Sequence, residues 1–121
     1  MKKNIVLGLT GDNKNYSSSI TVKIINKVGI IEFSPFHKYN FFSTARMQEL
    51  HSYIKELDQS EDVTSIILYG GEDNSFSIGG DFNELSKYKE REEVENFINI
   101  VADHYVDILS LSKPVIAAID N

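Results

Sequence analysis

The sequence predicts an α/β fold, and three observations carry that prediction. Short apolar runs of strand length alternate with longer segments whose apolar residues recur at helical spacing. The segments follow in the order hairpin, helix, strand, helix, strand, which suggests successive β-β-α turns winding beside one another. A strand–loop–helix passage over 65–85 is built on two glycine pairs, Gly70-Gly71 and Gly79-Gly80.

Taken in order, residues 1–19 end in the polar tract Asn13-Lys14-Asn15-Tyr16-Ser17-Ser18-Ser19 and read as a flexible leader before a domain over 20–121. Ile20, Val22 and Ile24 alternate with Thr21 and Lys23, the pattern of a strand with one wet face. Asn26-Lys27 marks a turn, and residues 28–33 return as the second strand of a hairpin. Residues 35–40 form a loop. Ser43 is placed to cap a helix reaching about Gln59, with Met47, Leu50, Ile54 and Leu57 on one face. Residues 63–69 form a strand that Gly70-Gly71 ends. Asp81 with Glu84 has capping-box spacing, so a helix starts at Phe82. The charged stretch 87–93 interrupts it, and the charge run 87–95 reads as a solvated face or lid. A longer helix then presents Val94, Phe97, Ile98, Val101, Tyr105, Ile108 and Leu109 on one side. Pro114 stops that helix, and residues 115–119 read as a buried strand.

Bulk properties restrict the function classes. A chain of 121 residues is one domain or part of one. A net charge of −6 argues against a general nucleic-acid or anionic-membrane partner. The absence of cysteine excludes disulfides and thiolate metal sites and fits a cytoplasmic location. Lys2-Lys3 before Ile5-Val6-Leu7 imitates a signal peptide, but the apolar part is too short. No run has the length of a membrane span. His37, His51 and His104 are not spaced as metal ligands; His51 and His104 read as half-buried structural histidines and His37 as a loop residue. Dinucleotide and P-loop signatures are absent.

The passage 65–85 carries the chemistry. Backbone N–H groups between a strand end and a capped helix are free and sit at the positive end of a helix dipole. Such a place can hold an anion or a developing oxyanion. The plainer reading is two glycines making a tight turn, and spacing alone does not separate the two. Asp81 and Glu84 read as caps rather than acids.

Tyr69-Gly70-Gly71, then Ser75-Phe76-Ser77-Ile78-Gly79-Gly80-Asp81-Phe82, and later Lys113-Pro114-Val115-Ile116-Ala117-Ala118-Ile119 resemble the crotonase (enoyl-CoA hydratase/isomerase) superfamily. The resemblance runs from about Ile20 to the last residue. It implies a crotonase-like spiral of β-β-α turns of which this sequence is the N-terminal half, about half of the domain. Over 69–84 it is closest to the carboxymethylproline synthase branch, which decarboxylates malonyl-CoA to an enolate. A plain hydratase or isomerase, and a non-catalytic half-domain that pairs with a partner chain, are the alternatives.

By position, the resemblance makes the Gly80 N–H an oxyanion-hole donor and places Ser77, Ile78, Gly79 and Phe82 along coenzyme A. For Ile78 and Phe82 ordinary packing is the other reading. Lys38, Arg46 and Lys87 are candidates for the CoA phosphates. No cofactor is implied beyond coenzyme A as part of the substrate thioester. Asn40 matches a family position after the hairpin, although Phe41 stands where the family has alanine and Asn121 where it has glycine. The second oxyanion donor and the catalytic carboxylate are expected beyond Asn121. A missing C-terminal half or partner chain, and a trimer-based homo-oligomer, complete the implied assembly.

Overall fold

The computed structural model describes residues 5–6, 20–33 and 39–120. Ten elements follow in chain order: β1 Ile5–Val6, β2 Ile20–Ile25, β3 Val28–Phe33, β4 Phe41–Phe42, α1 Thr44–Gln59, β5 Ser65–Tyr69, β6 Gly79–Gly80, α2 Phe82–Leu85, α3 Arg91–Leu109 and β7 Val115–Ala118. Five strands form one sheet in the order β1-β2-β3-β5-β7, and β4 pairs with β6 in a separate two-stranded ribbon. Ile5–Val6 lies inside the expected leader yet pairs antiparallel with β2. The rest of the leader lies outside the described residues, as do His37, Lys38 and Asn121.

The hairpin follows from its sequence. Asn26 and Lys27 both take positive φ, 50° and 65°, which matches the right-handed twist of the flanking strands and joins them in a two-residue turn. Alternation then buries Ile20 and Val22 from β2 and Ile31 and Phe33 from β3 on one face. That face meets Leu50, Tyr53, Ile54 and Leu57 of α1. Because β3 and β5 are parallel, the chain must cross over between them, and α1 is that crossover. Ser43 caps α1 by accepting from the Arg46 N–H, as its position predicts.

The second half differs from expectation in two places. Strand β7 is an edge strand, not a buried one, and Ile119 just beyond it is 67% exposed. Val115 still packs against the core, whereas Ile116 is exposed. Helix α3 has no buried residue: Phe97, Val101 and Ile108 are half-buried, while Val94, Ile98, Tyr105 and Leu109 from the same predicted stripe are exposed. The charged run contains the start of α3, where Glu90 and Glu93 form a capping box. The entry to β7 is tied to α1. Lys113 Nζ donates to Leu57 O at 2.7 Å and Ser60 O at 2.5 Å, and Asp58 accepts from the Ser112 and Lys113 N–H groups.

Candidate active site

The glycine passage is fixed from two sides. Gly70 is buried with Phe76 backbone against it; a Cβ there would come within 2.7 Å of Phe76 Cα, so no larger residue fits. Asn40 is fully buried and holds the two ends of the loop after β5. Its Nδ2 donates to Gly70 O and to Ser75 O, both at 2.7 Å, and its Oδ1 accepts from Arg46 Nη2 at 3.3 Å. Asn40 has φ of 47°, a left-handed conformation that asparagine tolerates better than most residues. Its place in the fold comes from a long-range pairing, so no local sequence signal marks it as the staple of this loop.

The second glycine pair forms a strand, which the loop reading did not anticipate. Phe41 pairs with Gly79 and Phe42 with Gly80, in parallel. The Asp81 N–H donates to Phe42 O at 3.0 Å. Successive N–H groups of a strand point to opposite sides, so the Gly80 N–H is directed away from β4. Gly80 lines a cleft of about 390 Å³ together with Phe42, Leu68, Phe76 and Ser77 on one side and residues of α1 and α3 on the other. Gly79 has φ of 99° and open space around it, so conformation rather than crowding selects glycine there.

Asp81 caps α2, accepting from the Asn83 and Glu84 N–H groups. Glu84 does not complete a capping box with it. Its Oε2 instead accepts the Thr44 N–H at 2.8 Å, and its Oε1 accepts from Tyr88 Oη at 3.0 Å. Burial favours the protonated acid, but the Thr44 and Tyr88 hydrogen bonds and the Lys87 charge outweigh it and hold the carboxyl below its usual range. Glu84 is thus a carboxylate at the N-terminus of α1, where the helix dipole also favours it.

The remaining expected site residues scatter. Ser77 lines the cleft, and its Oγ accepts the Gly79 N–H at 3.1 Å. Ile78 and Phe82 are exposed, Phe82 at 76%, so packing within the described residues does not account for either. Arg46 is structural rather than a surface cation: its Nη1 donates to Phe41 O at 2.9 Å and its guanidinium lies 5.0 Å over the Phe42 ring. Lys87 is exposed. His51 and His104 are half-buried, as expected, and meet across the α1–α3 seam with Nδ1 atoms 3.4 Å apart. No cluster able to hold a metal ion is found among the described residues, nor is any helix there long and apolar enough to cross a membrane.

Comparison with known proteins sets this geometry in context. Residues 23–120 match the family described as enoyl-CoA hydratase/isomerase. The chain is 34% identical over 95 residues to carboxymethylproline synthase of Pectobacterium carotovorum subsp. carotovorum, covering 78% of this chain and 38% of that protein. It is 29% identical over 107 residues to the Dictyostelium discoideum protein named probable enoyl-CoA hydratase, mitochondrial, covering 88% of this chain and 37% of that one. Among solved structures, the enoyl-CoA hydratase of Thermoplasma volcanium superposes with a TM-score of 0.77 at 22% identity, over 87% of this chain and 41% of that one. The Bacillus anthracis enoyl-CoA hydratase gives 0.76 at 24% identity, over 85% and 40%. The chain therefore spans about two fifths of the length of these relatives, and their shared architecture is the crotonase fold.

Proposed function

The chain belongs to the enoyl-CoA hydratase/isomerase family, and from that premise we propose that the protein acts on acyl-CoA thioesters through an enolate held at the Gly80 N–H. The observation that supports this most is the Asp81–Phe42 bond, which turns the neighbouring Gly80 N–H out of the ribbon at a residue lining the cleft. When the α-carbon of a thioester loses a proton or a carboxylate, the electron pair moves onto the thioester oxygen. An aimed N–H donor stabilises that charge, typically by about 3 kcal/mol. Coenzyme A enters as part of the substrate, with its chain along Ser77, Gly79 and the exposed Ile78 and Phe82, and with Lys38 for a phosphate.

The finer reading is decarboxylation of malonyl-CoA, as in a carboxymethylproline synthase: the bond to the carboxylate breaks, carbon dioxide leaves, and the pair forms the enolate. The 34% identity to the Pectobacterium protein supports it. A plain hydratase is the second reading, supported by the Dictyostelium relative. The second oxyanion donor and the acid/base carboxylate belong, on this proposal, to sequence beyond this chain or to a partner chain, in a trimer-based assembly. The exposed apolar faces of α3 and β7 support that need, and these 121 residues alone are expected to be silent toward acyl-CoA.

A side-by-side assay of the complete gene product distinguishes the readings, following acetyl-CoA formation from malonyl-CoA and loss of enoyl absorbance from crotonyl-CoA. Faster consumption of malonyl-CoA is expected. Rapid hydration of crotonyl-CoA with malonyl-CoA left intact would replace the synthase reading with the hydratase one.

A further inference from the structure

Gly79 and Gly80 reach their place through a ribbon only two residues long on each side. Strands that short are marginal by themselves, so groups outside the ladder must hold them. At the entry to β4 that hold is Asn40, bonded to Gly70 O and Ser75 O. At the exit it is Glu84. Each strand of the ribbon is followed after one residue by a helix, β4 by α1 and β6 by α2. The Asp81 N–H donates to Phe42 O at 3.0 Å, and three residues on Glu84 Oε2 accepts the Thr44 N–H at 2.8 Å. The same two segments, forty residues apart, are thus clamped a second time. Helix α2 also lies against the glycine pair: Leu85 Cδ1 is 3.5 Å from where a Cβ on Gly80 would stand. A turn of α2 is therefore felt at Gly80.

Both oxygens of the Glu84 carboxylate are used. Its Oε1 accepts from Tyr88 Oη at 3.0 Å, and that hydroxyl lies 3.5 Å from Thr44 Oγ1. The Tyr88 ring stands 6.0 Å from Phe97, which lines the cleft from α3. Hydrogen bonds to an ionised acceptor are roughly twice as strong as neutral ones, so this small network is a firm one.

We propose that Glu84 is a positioning residue: by clamping α2 to the start of α1 it fixes the direction of the Gly80 N–H. The proposal rests on the acyl-thioester reading for what that N–H stabilises. Glu84 touches no reacting atom in this role. An oxyanion donor is effective when its direction is set before charge develops. Releasing the clamp therefore lowers kcat more than it raises KM, because the charge appears only after the thioester has bound.

The test uses the complete gene product, with kcat and KM measured on whichever of malonyl-CoA and crotonyl-CoA it consumes. Glu84→Ala is expected to lower kcat about tenfold or more with KM changed less than about threefold. Glu84→Gln should recover most of that loss, since an amide can accept from Thr44 and donate to Tyr88. Thr44→Pro removes the held N–H from the other side. Proline is tolerated at the first position of a helix, so α1 still forms and a similar loss is expected. A double-mutant cycle then asks whether Glu84 acts through Gly80: Glu84→Ala added to Gly80→Pro is expected to cost less than about threefold more. Losses that multiply, or wild-type kcat in folded Glu84→Ala and Thr44→Pro, overturn the proposal and leave the acyl-thioester reading standing. Amide exchange supplies an arm without substrate. The Asp81 N–H, bonded to Phe42 O, is expected to exchange about tenfold faster in Glu84→Ala while β3 stays unchanged. Unchanged exchange at Asp81 overturns the clamp, whatever the cleft binds. Consumption of neither substrate by the wild type, or a folded Gly80→Pro variant as fast as wild type, contradicts the acyl-thioester reading itself, and the proposal with it.

Discussion

The two halves of the molecule bury their apolar residues very differently. In the first, the β2–β3 hairpin and α1 enclose Ile31, Phe33, Ile54 and Leu57 almost completely. In the second, α3 encloses none of its residues, Leu109 is 86% exposed, and β7 leaves Ile116 and Ile119 open. The cleft lies across that divide, with Phe33, Leu50 and Phe76 from the packed side and Phe97, Val101 and His104 from the open one. A site built this way has one wall fixed by a close-packed core and one wall held by a seam. The Gly80 N–H belongs to the fixed wall, which suits a donor that must be aimed before charge develops.

The contrast can be broken most severely from the packed side. Phe33 is 1% exposed, with ring centroids 5.1 Å from Phe42 and 5.4 Å from Phe76. Phe33→Ala is expected to lower unfolding stability by about 3–5 kcal/mol in urea titration, with the loss of the aromatic contacts beneath the cleft. Next comes Asn40→Ala, expected to cost about 2–3 kcal/mol, because two carbonyls lose their donor and a methyl side chain cannot replace it. Its effect on the glycine loop should exceed its effect on the sheet, seen as faster amide exchange at Ser77 to Gly80 than in β3. Leu109→Ser marks the other extreme, within about 0.5 kcal/mol in the same titration. A large loss there would mean that α3 is packed in this chain after all.

The same division governs how much could be read from the sequence. The hairpin and α1 were legible because their period-2 and helical patterns coincide with the faces they bury, and β5 because a short apolar run ends at a glycine pair. Ser43 and Asp81 were legible as caps because capping is local. Three features were not. The Phe41–Phe42 ribbon with Gly79–Gly80 joins residues far apart in sequence through strands too short to show any period. Glu84 has the right spacing to cap its own helix, yet its carboxylate reaches Thr44, forty residues away. The apolar pattern of β7 and α3 reports that these residues suit burial, but the pattern is blind to what covers them. For the candidate site, Gly80 was proposed from the glycine pair and the family resemblance. The Asn40 staple and the His51–His104 contact arise only from tertiary placement.

The most direct test of the account concerns the Gly80 N–H, and two substitutions separate donor from shape. A Cβ at Gly80 meets only Leu85 Cδ1, at an ordinary 3.5 Å, so Gly80→Ala keeps both the fold and the N–H. Gly80→Pro removes the N–H but breaks no ladder bond, since the ribbon uses the Asp81 N–H instead. The measurement is kcat of the complete gene product on its preferred acyl-CoA for both variants, with thermal unfolding as the control. The account predicts that Gly80→Ala stays within about tenfold of wild type and Gly80→Pro falls about a hundredfold or more, both remaining folded. A folded Gly80→Pro variant that turns over as fast as Gly80→Ala would contradict it.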